Sequence, residues 1–139
     1  MTVKCHFCLM DKCPEKLCFL KEKSVLLLQV DLLQPKIIHG IKTQGARQKF
    51  SNYYISQFVI FYSLDGENWK SYKGNSTSSQ MVIIFPQVFQ GNRDYLQPVM
   101  NFLDVPFFAK YLRIHPLKWN KYIALRMEVL GCDTEQMDY

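Results

Sequence analysis

A chain of 139 residues, 48% hydrophobic and 14% aromatic with 10 Phe and 8 Tyr, has the apolar surface for one packed domain and is excluded as a disordered tail or linker. With only 6 Gly and 6 Pro and no fixed internal period, it is neither a low-complexity tract nor a repeat array. The net charge of +5 divides as +1 over residues 1–35, +8 over 36–126 and −4 over 127–139, so the middle of the chain favours an anionic partner: nucleic acid, an anionic membrane or an acidic protein.

The first 24 residues, MTVKCHFCLMDKCPEKLCFLKEKS, mix cysteine and lysine without a steady period and read as a leader distinct from the rest of the chain. Cys5, Cys8, Cys13 and Cys18 are spaced CxxC, then four residues, then four residues. That is the spacing of a zinc knuckle whose histidine is replaced by Cys13, and four thiolates so placed can close a tetrahedral zinc site. The glycines of a knuckle are missing, however, and Pro14 follows directly on a would-be ligand. A zinc- or protein-binding adaptor and a leader without regular structure therefore stay open as alternatives, and no metal is assigned. The apolar start is interrupted by Asp11 and Lys12, and residues 25–33 contain Asp31 and are too short to span a bilayer, so neither an export signal nor an anchor is predicted.

Residues 25–33, VLLLQVDLL, have the length and composition of a buried strand, ended by Pro35. Residues 36–43, KIIHGIKT, give a second strand through Ile37, Ile38 and Ile41. His39 in such a run reads as a hydrogen-bonded core or rim residue rather than a ligand or base. The stretch from Gly40 to Trp69 is the centre of the pattern: a strand, a basic loop, a long strand and a hairpin turn. Its loop sets Arg47 and Lys49 beside Phe50, two cations and an aromatic where a loop ordinarily carries polar residues. That combination predicts a surface that meets something apolar and negatively charged, unless Phe50 folds back under Tyr53 and Tyr54. Phe58, Ile60 and Tyr62 alternate with Val59, Phe61 and Ser63, and Asp65-Gly66 closes the turn that returns the chain through Trp69 and Tyr72.

Residues 73–80, KGNSTSSQ, form a polar turn in which Asn75-Ser76-Thr77 is a glycosylation sequon, meaningful in a secreted chain. Residues 81–89 carry Pro86 at their middle and predict two short strands or one strand ending at a bend. Residues 90–98 read as a polar loop. Strands follow at 110–115, with Tyr111, Arg113 and His115 on one face and Leu112 and Ile114 on the other, and at 122–130, where Ile123, Leu125, Met127 and Val129 alternate with Ala124, Arg126, Glu128 and Leu130. Period two dominates from residue 25 onward, which predicts an all-β antiparallel sandwich or barrel. No catalytic or cofactor-binding motif stands in the sequence, and His6, His39 and His115 are scattered.

The segment VDLLQPKIIHGIKTQGARQKFSNYYISQFVIFYSLDGENWKSYKGNST resembles the first of two successive C domains of the F5/8 type C, or discoidin, family. The segment QVFQGNRDYLQPVMNFLDVPFFAKYLRIHPLKWNKYIALRMEVLGC resembles the second. The resemblance implies a jelly-roll-like β-sandwich over residues 25–132, a truncated hybrid of two related domains joined between residues 81 and 87. Residues 1–24 then stand in place of the usual front of the domain with its early membrane loop, and residues 133–139 form an acidic tail. Mixed cores of this kind fold when volume and pattern are kept, at some loss of stability; a truncated product without a stable fold or independent function stays open as the alternative.

The same resemblance implies a secreted, non-catalytic module of a blood-coagulation cofactor that binds phosphatidylserine-containing membranes through loops at one end. Its protein partner would be von Willebrand factor, with no nucleic acid and no small-molecule cofactor. Carried over residue by residue, Lys49 and Phe50 fall on the membrane-contacting loop with Arg47 and Gln44 beside it, and Arg126 matches a basic residue near the same end. Asn75 matches a glycosylated asparagine. Cys132 matches the closing cysteine of a disulfide whose partner here is one of Cys5, Cys8, Cys13 or Cys18. Burying Phe50 in a bilayer contributes about 1.5–3 kcal/mol and each of Arg47 and Lys49 near an anionic leaflet about 1 kcal/mol. One such loop gives roughly millimolar affinity, so several acting together are required.

Overall fold

Apolar residues at alternate positions make the strands, and two of these strands are long enough to shape the molecule. The computed structural model describes residues 2–8, 19–20, 28–74 and 85–133, and among them are nine strands and no helix. In chain order they are β1 (Thr2–Cys8), β2 (Phe19–Leu20), β3 (Leu28–Gln44), β4 (Ala46–Gln48), β5 (Ser51–Ser63), β6 (Lys70–Ser71), β7 (Phe89–Gln90), β8 (Val99–Asn120) and β9 (Ala124–Asp133). Every pairing is antiparallel, in the order β1-β9-β3-β8-β5-β4, with β2 on β3 and with β6 and β7 on β5.

The strands β3 and β8 run side by side for most of their length, and their pairing breaks register between Asp31 and Lys36 and again between Ile38 and Gly40. At the first break Leu33 adopts φ +69 and its N–H donates to Asp31 Oδ1 at 2.8 Å. The sequence reading divides this stretch into two strands at Pro35; the structure carries one strand through it. Pro35 lies where the ladder is already interrupted, so its missing N–H costs no pairing. In the same way β8 extends well beyond the expected 110–115, through Pro106 and Pro116, the latter beside a register shift between Gln57 and Phe58. Bulges of this kind bend long strands from one sheet into the other, which is how an antiparallel sandwich closes around one core.

That core draws on both halves of the chain. Leu28, Val30, Ile38 and Ile41 of β3 and Ile55, Phe58 and Ile60 of β5 are buried with Leu103, Phe107, Leu112 and Ile114 of β8 and with Leu125, Met127 and Val129 of β9. Phe58 stacks on Phe89 at 5.4 Å and Tyr62 on Phe107 at 4.3 Å, and Tyr72 touches both Phe89 and Phe107. Each such ring contributes about 1.5–3 kcal/mol through burial. The Tyr72 hydroxyl donates to Val105 O at 3.1 Å and accepts from Val105 N–H at 3.2 Å, so its polar end is satisfied where its ring is buried.

The predicted faces of β8 hold: Leu112 and Ile114 are buried while Tyr111, Arg113 and His115 are half-exposed on the outer side, Arg113 lying 3.7 Å over the Trp69 ring. Residues 2–8, part of the leader for which a lack of regular structure was one of two open readings, form β1 along the first seven residues of β9, from Thr2 opposite Leu130 to Cys8 opposite Ala124. Val3, Cys5 and Phe7 alternate with Lys4 and His6, a strand period that the cysteine spacing obscures.

Candidate functional site

Gln48 pairs with Ser51, so only Lys49 and Phe50 connect β4 to β5. Both have positive φ, +48 and +67. A two-residue hairpin of this geometry matches the twist of its strands and ordinarily takes Asn-Gly; an L-residue with a bulky side chain is destabilised there by about 1–2 kcal/mol. Phe50 nevertheless stands 90% exposed, which settles the choice between projecting and folding back under Tyr53 and Tyr54. Arg47 lies beneath it, the guanidinium carbon 5.7 Å from the Phe50 ring centre and 5.4 Å from that of Tyr95. The two cation–π contacts hold the hairpin tip to the loop of residues 91–98.

That loop is pinned from several sides. The Gln44 side-chain amide donates to Leu96 O. Half-buried Arg126 donates from Nε to Gly45 O at 2.8 Å and from Nη2 to Tyr95 O at 3.3 Å. From beneath, the buried amide of Asn92 reaches Thr43 O at 2.9 Å and Gln97 O at 3.1 Å. Asp94 Oδ1 accepts from the N–H groups of Leu96 and Gln97 at 2.9 and 2.7 Å. Gly45 makes the close seat possible, since a Cβ there would stand 2.4 Å from Tyr53 O and 3.0 Å from Tyr95 Cα. Leu96 is left 53% exposed.

The β8–β9 connection comes to the same end, because Tyr54 pairs with Asn120 and Ile55 with Trp119. Lys121 has φ +62 and is spanned by a bond from Tyr122 N–H to Asn120 O at 2.8 Å, a γ-turn of the strained hand. Asn120 Nδ2 donates to Asn52 O at 2.9 Å, and Tyr122 meets Tyr53 edge-on at 5.4 Å. Of the four non-glycine residues with positive φ among the described residues, three, Lys49, Phe50 and Lys121, therefore lie at this end. Backbone strain gathered in one place points to a site where side-chain identity outranks fit.

The resulting surface interleaves Phe50, Leu96, Trp119 and Tyr122 with the cations Arg47, Lys49, Lys118 and Lys121. The structure brings together Gln44, Arg47, Lys49, Phe50 and Arg126, all five of the residues predicted for this end. Leu96, Lys118, Trp119, Lys121 and Tyr122 were missed. The signal for the last four was present in LKWNKY, residues 117–122, which sets cations next to aromatics as RQKF does at 47–50.

The remaining predicted residues fall elsewhere. Asn75, Cys13 and Cys18 lie outside the described residues. Cys5 lies opposite Met127 and Cys8 opposite Ala124, five and eight residues along β9 from Cys132. At about 3.4 Å per residue both are beyond the Cα separation of roughly 7 Å that a disulfide tolerates. The Cys132 thiol is instead 3.4 Å from His39 Nε2, and His39 is exposed on the rim. Among the described residues no group of three or more His, Cys, Asp or Glu side chains could hold a metal ion.

The F5/8 type C domain family model matches residues 21–129. Coagulation factor VIII of Sus scrofa is 55% identical over 106 residues, 76% of this chain and 5% of that protein. The venom prothrombin activator omicarin-C non-catalytic subunit of Oxyuranus microlepidotus is 36% identical over 115 residues, 83% of this chain and 8% of that protein. The chain thus corresponds to a small fraction of the length of these relatives. Among solved structures, discoidin II of Dictyostelium discoideum superposes with a TM-score of 0.62 at 22% identity, over 78% of this chain and 38% of that one, a likeness of fold.

Proposed function

The chain belongs to the F5/8 type C domain family, and on that premise we propose that it is a non-enzymatic module that binds phosphatidylserine-containing membranes at the extracellular surface. One observation carries the reading: an aromatic side chain, Phe50, held 90% exposed at the tip of a strained two-residue turn, with Lys49 next to it in the turn and the Arg47 guanidinium 5.7 Å from its ring. A polar turn would fold more easily there. An exposed aromatic tip with two cations beside it suits a surface that is anionic outside and apolar within.

The magnitudes favour several contacts acting together. Phe50 entering the acyl boundary contributes about 1.5–3 kcal/mol, and each exposed cation close to an anionic leaflet about 1 kcal/mol. Lys118 and Lys121, beside Trp119 and Tyr122, add a second contact of the same chemistry, so the end as a whole reaches micromolar affinity where one loop gives millimolar. A relative that is itself a non-catalytic subunit supports the non-enzymatic reading. The same family reading carries von Willebrand factor as protein partner and a sugar on Asn75.

Co-sedimentation with lipid vesicles tests it. Binding to vesicles containing phosphatidylserine is expected to weaken with added salt and to fall about 10–100-fold in Phe50→Ala. Equal binding to neutral phosphatidylcholine vesicles would overturn the proposal.

A further inference from the structure

The loop of residues 91–98 is braced far more heavily than a connection between strands requires. Gln44, Arg47 and Arg126 come from three different elements and all close on Tyr95 and Leu96: Gln44 through Leu96 O, Arg47 through the Tyr95 ring, Arg126 through Tyr95 O. Arg126 at the same time holds Gly45 O, at the root of the β4–β5 hairpin. Asn92 and Asp94 fix the loop from within. What these bonds hold in place is an aliphatic side chain, Leu96, with 53% of its surface in solvent. A lone exposed leucine says little. One on a backbone pinned by this many polar bonds, next to the Phe50 tip, is presented.

We infer that Leu96 is a second apolar prong of the membrane-facing end, and that Gln44 and Arg126 are positioning residues that lock it to the Phe50 hairpin, rather than ligands of a lipid headgroup. This rests on the membrane reading above. The geometry separates the two roles of Arg126. Its guanidinium spans two carbonyls with two different nitrogens, which the single ammonium of a lysine cannot reproduce, whereas a purely electrostatic contact would tolerate lysine. Pre-organising both prongs lowers the ordering cost of docking them together. Arg47 serves both purposes, its guanidinium lying within cation–π distance of both the Phe50 and Tyr95 rings and its side chain exposed.

The experiment has a lipid-free arm and a vesicle arm. Without lipid, hydrogen exchange at the Leu96 and Gln97 amides is expected to rise about tenfold or more in Arg126→Lys, because the loop opens locally. Gln44→Ala, which removes no charge, is expected to give a smaller rise in the same amides. On phosphatidylserine vesicles, Leu96→Ala should weaken binding about tenfold in the wild-type background and less than about twofold in Arg126→Lys, since the loop is then no longer held out. Unchanged exchange in both variants would overturn the bracing. Full binding by Arg126→Lys, or by Leu96→Ala where Phe50→Ala still fails, would overturn the second prong while leaving the membrane reading intact. Indifference of binding to Phe50→Ala and Leu96→Ala alike would overturn both, with the exchange arm still deciding the brace.

Discussion

Strand β5 is entered and left by turns of opposite character. At its far end Asp65-Gly66 has the residues the backbone asks for: Gly66 takes φ +80, and the Asp65 carboxylate accepts from the N–H groups of Glu67 and Asn68, each at 2.8 Å, from the Asn68 amide at 2.6 Å and from the Ser63 hydroxyl at 2.9 Å. Ser63 Oγ in turn accepts from Asp65 and Gly66 N–H, and Trp69 Nε1 closes on Gly66 O. At the near end Lys49 and Phe50 occupy equally demanding dihedrals with none of this chemistry. The first turn is built to fold. The second keeps side chains that fit the backbone badly, and that is where the candidate site lies.

Exchanging the chemistry of the strained turn for that of the relaxed one gives the largest expected effect. The double variant Lys49→Asn, Phe50→Gly supplies the residues a two-residue hairpin prefers. It should lose about 10–100-fold in binding to phosphatidylserine vesicles, the share carried by a buried aromatic. It should also gain about 1–3 kcal/mol in stability, two left-handed penalties relieved less the cation–π contact forfeited beneath Phe50. Denaturant melts and vesicle binding on the same preparation check both. A variant that loses affinity without gaining stability would show that the near turn is not strained, and the contrast would collapse.

The converse change is smaller and tests the far turn. In Gly66→Ala the new Cβ meets the Tyr111 ring at 3.4 Å and the backbone stays at φ +80. The expected cost is about 1–2 kcal/mol, a drop of roughly 3–8 °C in Tm for a chain of this size. Vesicle binding below the melt should be unchanged, because Gly66 stands at the opposite end of β5 from Phe50.

How much of this contrast was legible in the sequence depends on how local each feature is. Asp65-Gly66 between alternating apolar runs is a signal contained in a few residues, and it was readable. So was the buried set Leu112, Ile114, Leu125, Met127 and Val129. RQKF drew notice as a surface, but the two-residue turn with both φ positive depends on Gln48 pairing with Ser51, a register the residues alone do not state. Leu96 and Tyr122 become part of the site only because Gln44 and Tyr54 bring distant loops beside the hairpin. The length of β3 and β8 was hidden by prolines, which end most strands but sit harmlessly at bulges. Ala124, set by alternation apart from Ile123, Leu125, Met127 and Val129, is buried as they are, so the period of two does not sort the start of β9 into a buried and an exposed face.

The smallest expected effect separates the turns by pH. The N–H of Asn68, then that of Glu67, then the Asn68 and Ser63 side chains hold the Asp65 carboxyl well below its ordinary value of 3.8. A pKa lower in the folded than in the unfolded chain gives stability that is present above the unfolded value and lost as the pH falls toward the folded one. Asp65→Asn lacks that contribution at every pH. Its melting temperature should therefore lie below that of the wild type near neutral pH, and the gap should close as the pH drops below 3.8. His115, whose pKa burial and neighbouring Arg113 lower from 6.5, destabilises both proteins alike on acidification and cancels in the difference. The Lys49→Asn, Phe50→Gly variant removes no carboxylate, so its gain over the wild type should stay constant through the same range. Parallel curves for Asp65→Asn and the wild type would mean that the far turn is held by its glycine and not by its carboxylate, and the two ends of β5 would then differ in backbone strain alone.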